Sequence, residues 1–134
     1  MKYFTPEEAN AQIPRLETLM RSLRGLMEEM RANQTATASL DNTEGARGGN
    51  GHSMHLESRA RALQAERKEL EARLQRGLEE ASNIGVEIKD INDGLADFRT
   101  MREGREVYLC WRMGEQSIDY WHELDTGYSG RQHL

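Results

Sequence analysis

From Ile13 to Met30 the apolar side chains Ile13, Leu16, Met20, Leu23, Met27 and Met30 recur at intervals of three and four residues. That interval gathers them on one stripe of an α-helix. It is incompatible with a strand, whose faces alternate at every residue. Leu19 and Leu26 widen the stripe on one flank. The start is also marked, by Thr5-Pro6-Glu7-Glu8. The Thr5 hydroxyl can accept from the Glu8 amide while the Glu8 carboxylate reaches back to the Thr5 amide. Pro6 takes the first helical position, where no N–H is needed. Pro14 falls past the first turn and removes an internal hydrogen bond, so a kink or a frayed start is expected there. Continued past Met30, the register lands on Gln34 and Thr37. The seam therefore ends near Met30, and the first helix is expected over residues 5–40.

Residues 41–53, DNTEGARGGNGHS, carry four glycines between Gly45 and Gly51 and are expected to form a flexible tip. A phosphate-cradling loop would need GKS or GKT after a strand, and neither is present. Helix is expected again over 54–84. Leu56, Ala60, Leu63, Leu70, Leu74, Leu78 and Ala81 share one side, with Arg67 interrupting the seam. Gly85 suits the left-handed position that ends a helix. Two such helices joined by a short tip run antiparallel.

After Gly85 the period changes from three and four to two. Val86–Lys89 alternates, Asn92-Asp93-Gly94 is a turn, and Leu95–Phe98 is a short return strand. Arg102-Glu103-Gly104-Arg105 is a second turn, Val107–Arg112 the best strand of the chain, and Met113–Gln116 leads into Ser117–Glu123. The expected fold is α+β: a long antiparallel helical hairpin, coiled-coil-like, with a small C-terminal antiparallel β-meander over 85–134. At 134 residues the chain holds one core, so a single domain over 1–134 is expected. The meander must cover the base of the hairpin, because so small a sheet cannot bury its own face.

The formal charge of −5 is unevenly spread, −1 before residue 84 and −4 after it. Neither part offers the basic field that phosphate neutralisation requires, which argues against nucleic acid as a partner. No stretch approaches a membrane span and the N-terminus MKYFTPEEANAQIP has no apolar leader, so a cytoplasmic protein without membrane contact is expected. The single cysteine, Cys110, cannot form an internal disulfide and fits a reducing compartment.

Five of the eight aromatic residues, both tryptophans and Cys110 fall between Glu106 and Gln132. Alternation places Val107, Leu109 and Trp111 on one face and Tyr108, Cys110 and Arg112 on the other. On the following strand Ile118, Tyr120 and His122 oppose Asp119, Trp121 and Glu123. Val107, Leu109 and Ile118 are expected to face the helices. A half-buried Arg112 needs a carboxylate or an anionic ligand, because unpaired buried charge is expensive; Glu115, Glu123 and Asp125 are the nearby acids. A metal reading would join His122 to Asp125 across a turn, with Cys110 or His133 adding a ligand, yet no paired spacing supports it. No metal, cofactor or catalytic residue is assigned. His52 and His55 border the tip and are expected in solvent. Cys110 as a nucleophile would need His122 or Arg112 beside it; a packed thiol is the simpler expectation. The tail Asp125–Arg131, with two glycines, a hydroxyl and an arginine, offers a backbone cradle for an anion or a lock for the terminus.

YFTPEEANAQIPRL at 3–16, GVEIKDINDGLADF at 85–98 and GREVYLCWRMGEQSIDYWHELDTGYSGRQ at 104–132 together resemble a bacterial domain-of-unknown-function family, number 2203. The resemblance implies a helical hairpin with a small C-terminal unit and brings no activity, cofactor or catalytic residue.

Three functions are expected from these residues. The first is a non-catalytic interaction or scaffold module that forms a homodimer through its hairpin, since one helix covers little of another's stripe and two hairpins would cover the rest. The second is a small-molecule or anion site, for a carboxylate or phosphate, on the C-terminal sheet, with enzymatic activity as an option. Arg105, Tyr108, Arg112, Tyr120, His122 and Arg131 would build it, with His122 carrying protons near neutral pH. The third is a metal-dependent hydrolase.

Overall fold

The computed structural model describes residues 2–44 and 50–134, and of 42–44 and 50–53 the backbone alone. Two helices, α1 (Pro6–Glu44) and α2 (Asn50–Ile84), precede five strands: β1 (Glu87–Asp90), β2 (Leu95–Arg102), β3 (Arg105–Arg112), β4 (Tyr120–His122) and β5 (Gln132–His133). The strands form one antiparallel sheet in sequence order. The class is α+β, a helical pair followed by a meander. Both helices run further into the glycine-rich stretch than the sequence suggests, and residues 45–49, the centre of the expected tip, lie outside the described residues. No helix among the described residues is long and apolar enough to cross a membrane.

The start of α1 forms as its residues dictate. The Thr5 amide donates to Glu8 Oε1 at 2.9 Å and the Glu8 amide to Thr5 Oγ1 at 3.1 Å, so two otherwise orphaned donors are satisfied. Pro14 neither frays nor interrupts the helix, which is continuous from Pro6. Its ring needs only one missing hydrogen bond to be tolerated, and burial of Ile13 and Leu16 on either side holds that turn in place. At the other end α2 stops as expected. Gly85 has φ +94°, and the amides of Gly85 and Val86 both donate to the Ala81 carbonyl, at 3.0 and 3.1 Å.

The chain divides into two compact units, Met1–Arg24 with Gly77–Leu134, and Gly25–Arg76. Among the described residues of the second unit the buried positions are Leu26 and Asn33 on α1 and Leu56, Leu63 and Leu70 on α2, each row spaced by seven. Among the described residues no apolar side chain of α1 past Leu26 is buried, so the apolar seam ends near Met30 as expected, while packing goes one step further through a polar residue. The row through Leu19 and Leu26 continues to Asn33, whose amide donates to the Leu63 carbonyl at 2.9 Å and to Glu66 Oε1 at 2.8 Å. Met27 and Met30 are only half-buried, Ala60 is exposed and Leu78 is 38% exposed.

In the first unit, Ala9, Ile13, Leu16, Met20 and Leu23 of α1 share a core with Ala96 and Phe98 of β2 and Val107, Leu109 and Trp111 of β3. Phe4 joins the two: its amide donates to the Arg99 carbonyl at 2.7 Å, and its ring meets Phe98 edge-on at 4.8 Å. The Phe4 ring also lies against Gly85, where any β-carbon would come within 3.0 Å of it. The Arg102–Arg105 turn closes β2 on β3 with both central residues at positive φ, Glu103 at 51° and Gly104 at 80°.

The strand expected over Ser117–Glu123 is shorter, Tyr120–His122, and this changes its faces. Ile118 does turn to the helices: it is buried and its amide donates to Asn10 Oδ1 at 2.6 Å. It lies outside β4, however, so its direction does not carry over by alternation. Trp121 pairs with Leu109 on the helix side, while Tyr120 and His122 pair with Cys110 and Tyr108 on the outer side.

Candidate functional site

Register sets the chemistry of the outer face. Asp97 lies opposite Cys110, and Cys110 opposite Tyr120; in the neighbouring row Arg99 lies opposite Tyr108, and Tyr108 opposite His122. His122 reaches diagonally over β3. Its Nε2 is 3.0 Å from Asp97 Oδ1 and its Nδ1 is 2.7 Å from the Glu123 carbonyl oxygen. A carbonyl only accepts, so Nδ1 carries a hydrogen. An ionised Asp97 accepts as well, so the ring that satisfies both neighbours is the doubly protonated one. Burial works against that charge. Hydrogen bonds from Asp97, the Cys110 side chain and the Glu123 carbonyl together outweigh it and raise the His122 pKa to about 10. Asp97, Cys110 and His122 are all buried, and their potential ligand atoms lie within 4.8 Å of one another.

The same three residues line a cavity of about 320 Å³, whose other walls are Lys89, Leu95, Tyr108 and the segment 124–128. The neighbours of β3 leave it buried on both sides from Val107 to Trp111. The Tyr108 hydroxyl donates to Glu87 Oε1 at 2.8 Å and accepts from Lys89 Nζ at 3.2 Å and Arg99 Nη2 at 3.0 Å. Burial and the Glu87 bond raise the Tyr108 pKa, keeping the phenol neutral. Burial opposes the Lys89 charge, but Glu87 and Tyr108 more than offset it, so the ammonium is held ionised.

Of the six residues expected at a ligand site, Tyr108 and His122 line this cavity. Arg131 does not; its Nη2 donates to Glu115 Oε2 at 2.6 Å, and its guanidinium lies 3.7 Å from the centre of the Tyr120 ring and 4.7 Å from that of Tyr128. The Nε of Arg131 is buried without a hydrogen-bond partner among the described residues. Arg112 is exposed rather than half-buried and donates to the Tyr128 hydroxyl at 3.2 Å. Both arginines therefore brace Tyr128, a wall of the cavity. Tyr120 lies under the Arg131 guanidinium, and its ring is tilted by 39° against that of His133 with centres 4.4 Å apart. Arg105 stands apart, paired with Glu123 at 3.0 Å and set over Trp121.

Asp125 lines the cavity but is exposed; the groups that converge on His122 are Asp97 and Cys110. Asp97 was not singled out by its sequence. The available signal was a lone carboxylate between Ala96 and Phe98, both fully buried, since an acid in such a strand must find a partner. His55 is exposed as expected, and the side chain of His52 lies outside the described residues.

The arrangement can hold a proton or a cation between a carboxylate, a thiol and an imidazole, beside space for a small molecule. No curated protein and no solved structure matches the chain. The model of the family described as "Uncharacterized conserved protein (DUF2203)" matches residues 2–134, with the residues around β2, β3 and β4 inside the match, and the chain belongs to that family.

Proposed function

We propose that the sheet unit binds a metabolite-sized molecule carrying a carboxylate or phosphate in the cavity over β2, β3 and β4. The observation that carries this reading is a concavity of about 320 Å³ lined by segment 124–128 together with Tyr108 and His122. That volume suits a small ligand. Leu95, Leu124 and the rings of Tyr108 and Tyr128 would take its organic body. Lys89 spends two ammonium hydrogens on Glu87 and Tyr108, so its third is available to an anionic group. A second concavity, of about 370 Å³ between Met30, Asn33, Arg67 and Glu71, supports the reading less; its buried amide, Asn33, already donates to Leu63 and Glu66.

Homodimerisation through the helices has weaker support. Leu16, Met20 and Leu23 are fully buried and Leu26 nearly so within one chain, so an uncovered stripe no longer argues for it. The ligand reading is tested by thermal denaturation against small carboxylates and phosphates, wild type beside Leu124→Trp. Leu124 is 44% exposed, so the larger ring can be accommodated while filling the cavity mouth. A ligand at about a hundred times its Kd should stabilise the wild type by about 2.7 kcal/mol and leave Leu124→Trp unchanged. Equal protection of both chains would refute the site.

A further inference from the structure

We propose that Asp97, Cys110 and His122 form a binding site for one divalent transition-metal ion of the zinc class. Each comes from a different strand of the sheet, and register alone brings them together: Asp97 faces Cys110 across β2 and β3, and His122 crosses over from β4. Zinc bonds of about 2.0 Å to nitrogen and oxygen and about 2.3 Å to sulfur place tetrahedral ligands roughly 3.3–3.6 Å apart. Here Nε2 and Oδ1 are 3.0 Å apart, and all three ligand atoms lie within 4.8 Å of one another. Opening the Nε2–Oδ1 pair by a few tenths of an ångström and drawing in the widest separation by up to about 1.2 Å, within the reach of side-chain torsions, complete the set.

The surroundings are those of a ligating histidine. Nδ1 donates to the Glu123 carbonyl at 2.7 Å, which fixes the ring and turns Nε2 towards Asp97. Metal-bound imidazoles are held in this way by an outer acceptor. The donor set of thiolate, imidazole and carboxylate favours zinc, cobalt or a similar ion over magnesium or calcium, which prefer oxygen alone. Charge balances too. In the metal-free cluster an imidazolium offsets the Asp97 carboxylate beside a neutral thiol. Binding the divalent ion releases two protons, one from His122 Nε2 and one from Cys110 Sγ, so the cluster stays neutral while buried. Three protein ligands leave a fourth position, and because all three residues line the cavity that position opens onto it, as in zinc sites that bind water or substrate.

This inference stands without the ligand proposed above, since cobalt and zinc binding is read with no organic ligand present. The full chain, stripped with a chelator, is titrated with cobalt(II) and then zinc(II). One equivalent of cobalt should give the intense visible bands of a tetrahedral ion and a thiolate-to-cobalt charge-transfer band in the near ultraviolet, both abolished by zinc. Cys110→Ser should remove the charge-transfer band and weaken binding at least tenfold, a loss of the order reported for disturbed metal shells. His122→Gln should behave likewise, and His133→Ala should bind as the wild type does. Should the cluster variants fail to fold, the wild-type spectrum decides alone. Absence of stoichiometric binding, a cobalt complex without the thiolate band, or unchanged zinc affinity in folded His122→Gln would each overturn the proposal and leave a structural ion pair.

Discussion

Asp97→Asn in chelator-treated protein isolates the worth of the buried pair with His122. The two side chains are 5% and 2% exposed, with Nε2 3.0 Å from Oδ1. Removing one charge of such a pair costs about 3–5 kcal/mol, because the other is left uncompensated. Linkage provides an independent ceiling. The ring is held protonated up to about 10 against an ordinary 6.5, and each tenfold change in proton affinity is about 1.4 kcal/mol, so the pair can contribute at most roughly 5 kcal/mol. Asparagine retains an acceptor, which places the expected loss near 3 kcal/mol, or roughly 10 °C in Tm for a chain of this size. A folded-state pKa above the unfolded value contributes stability in full below 6.5, and that stability is lost as pH rises through about 10. The wild type should therefore weaken across that window, while Asp97→Asn stays flatter, so the gap narrows with rising pH. Urea denaturation of both chains at either end of the window measures this. Equal stability below 6.5, or a gap that widens with pH, would refute an imidazolium–carboxylate pair.

Phe4→Ala should cost about 3–5 kcal/mol, because its fully buried ring is shared between Phe98 and the Gly85 turn; equilibrium unfolding gives the value. Thr5→Ala should lose about 1 kcal/mol, since the Glu8 amide loses the Thr5 hydroxyl as its acceptor and finds only water, and amide exchange should quicken in the first turn of α1. Asn33→Ala should lose about 1–2 kcal/mol with its two bonds to Leu63 and Glu66, read from the shift in urea midpoint. At the acid end, burial opposes the Glu87 charge but Arg99, Lys89 and Tyr108 outweigh it, so its pKa lies below the ordinary 4.5. That contribution is present above 4.5 and is lost as pH falls below it. Glu87→Gln should flatten the acid limb of the stability profile.

Local features of the chain were legible because they rest on neighbours in sequence. The capping box at Thr5 and Glu8, the stop at Gly85 and the turn at Glu103-Gly104 involve contacts over three or four residues, and each formed as its residues require. The change of period after Gly85 likewise announced the passage from helix to meander. Side-chain faces survived only as long as a strand did. Alternation placed Val107, Leu109 and Trp111 correctly apart from Tyr108 and Cys110, but grouping Tyr120 and His122 on the face of Ile118 failed, because β4 begins two residues after Ile118.

By itself, then, the sequence determined the class of fold, the order of its elements as far as β4 and the candidacy of His122 and Tyr108; β5 came only from the structure. Only the tertiary structure decided that Asp97 meets His122, 25 residues away, with Cys110 beside them, and that Arg105 and Arg112 do not join the cavity. The physical reason is register. Which side chains share a face across three strands depends on where each strand begins and how it pairs, and a shift of one residue sends every side chain to the other side. Composition and spacing along one chain cannot specify that meeting; backbone pairing between β2, β3 and β4 does.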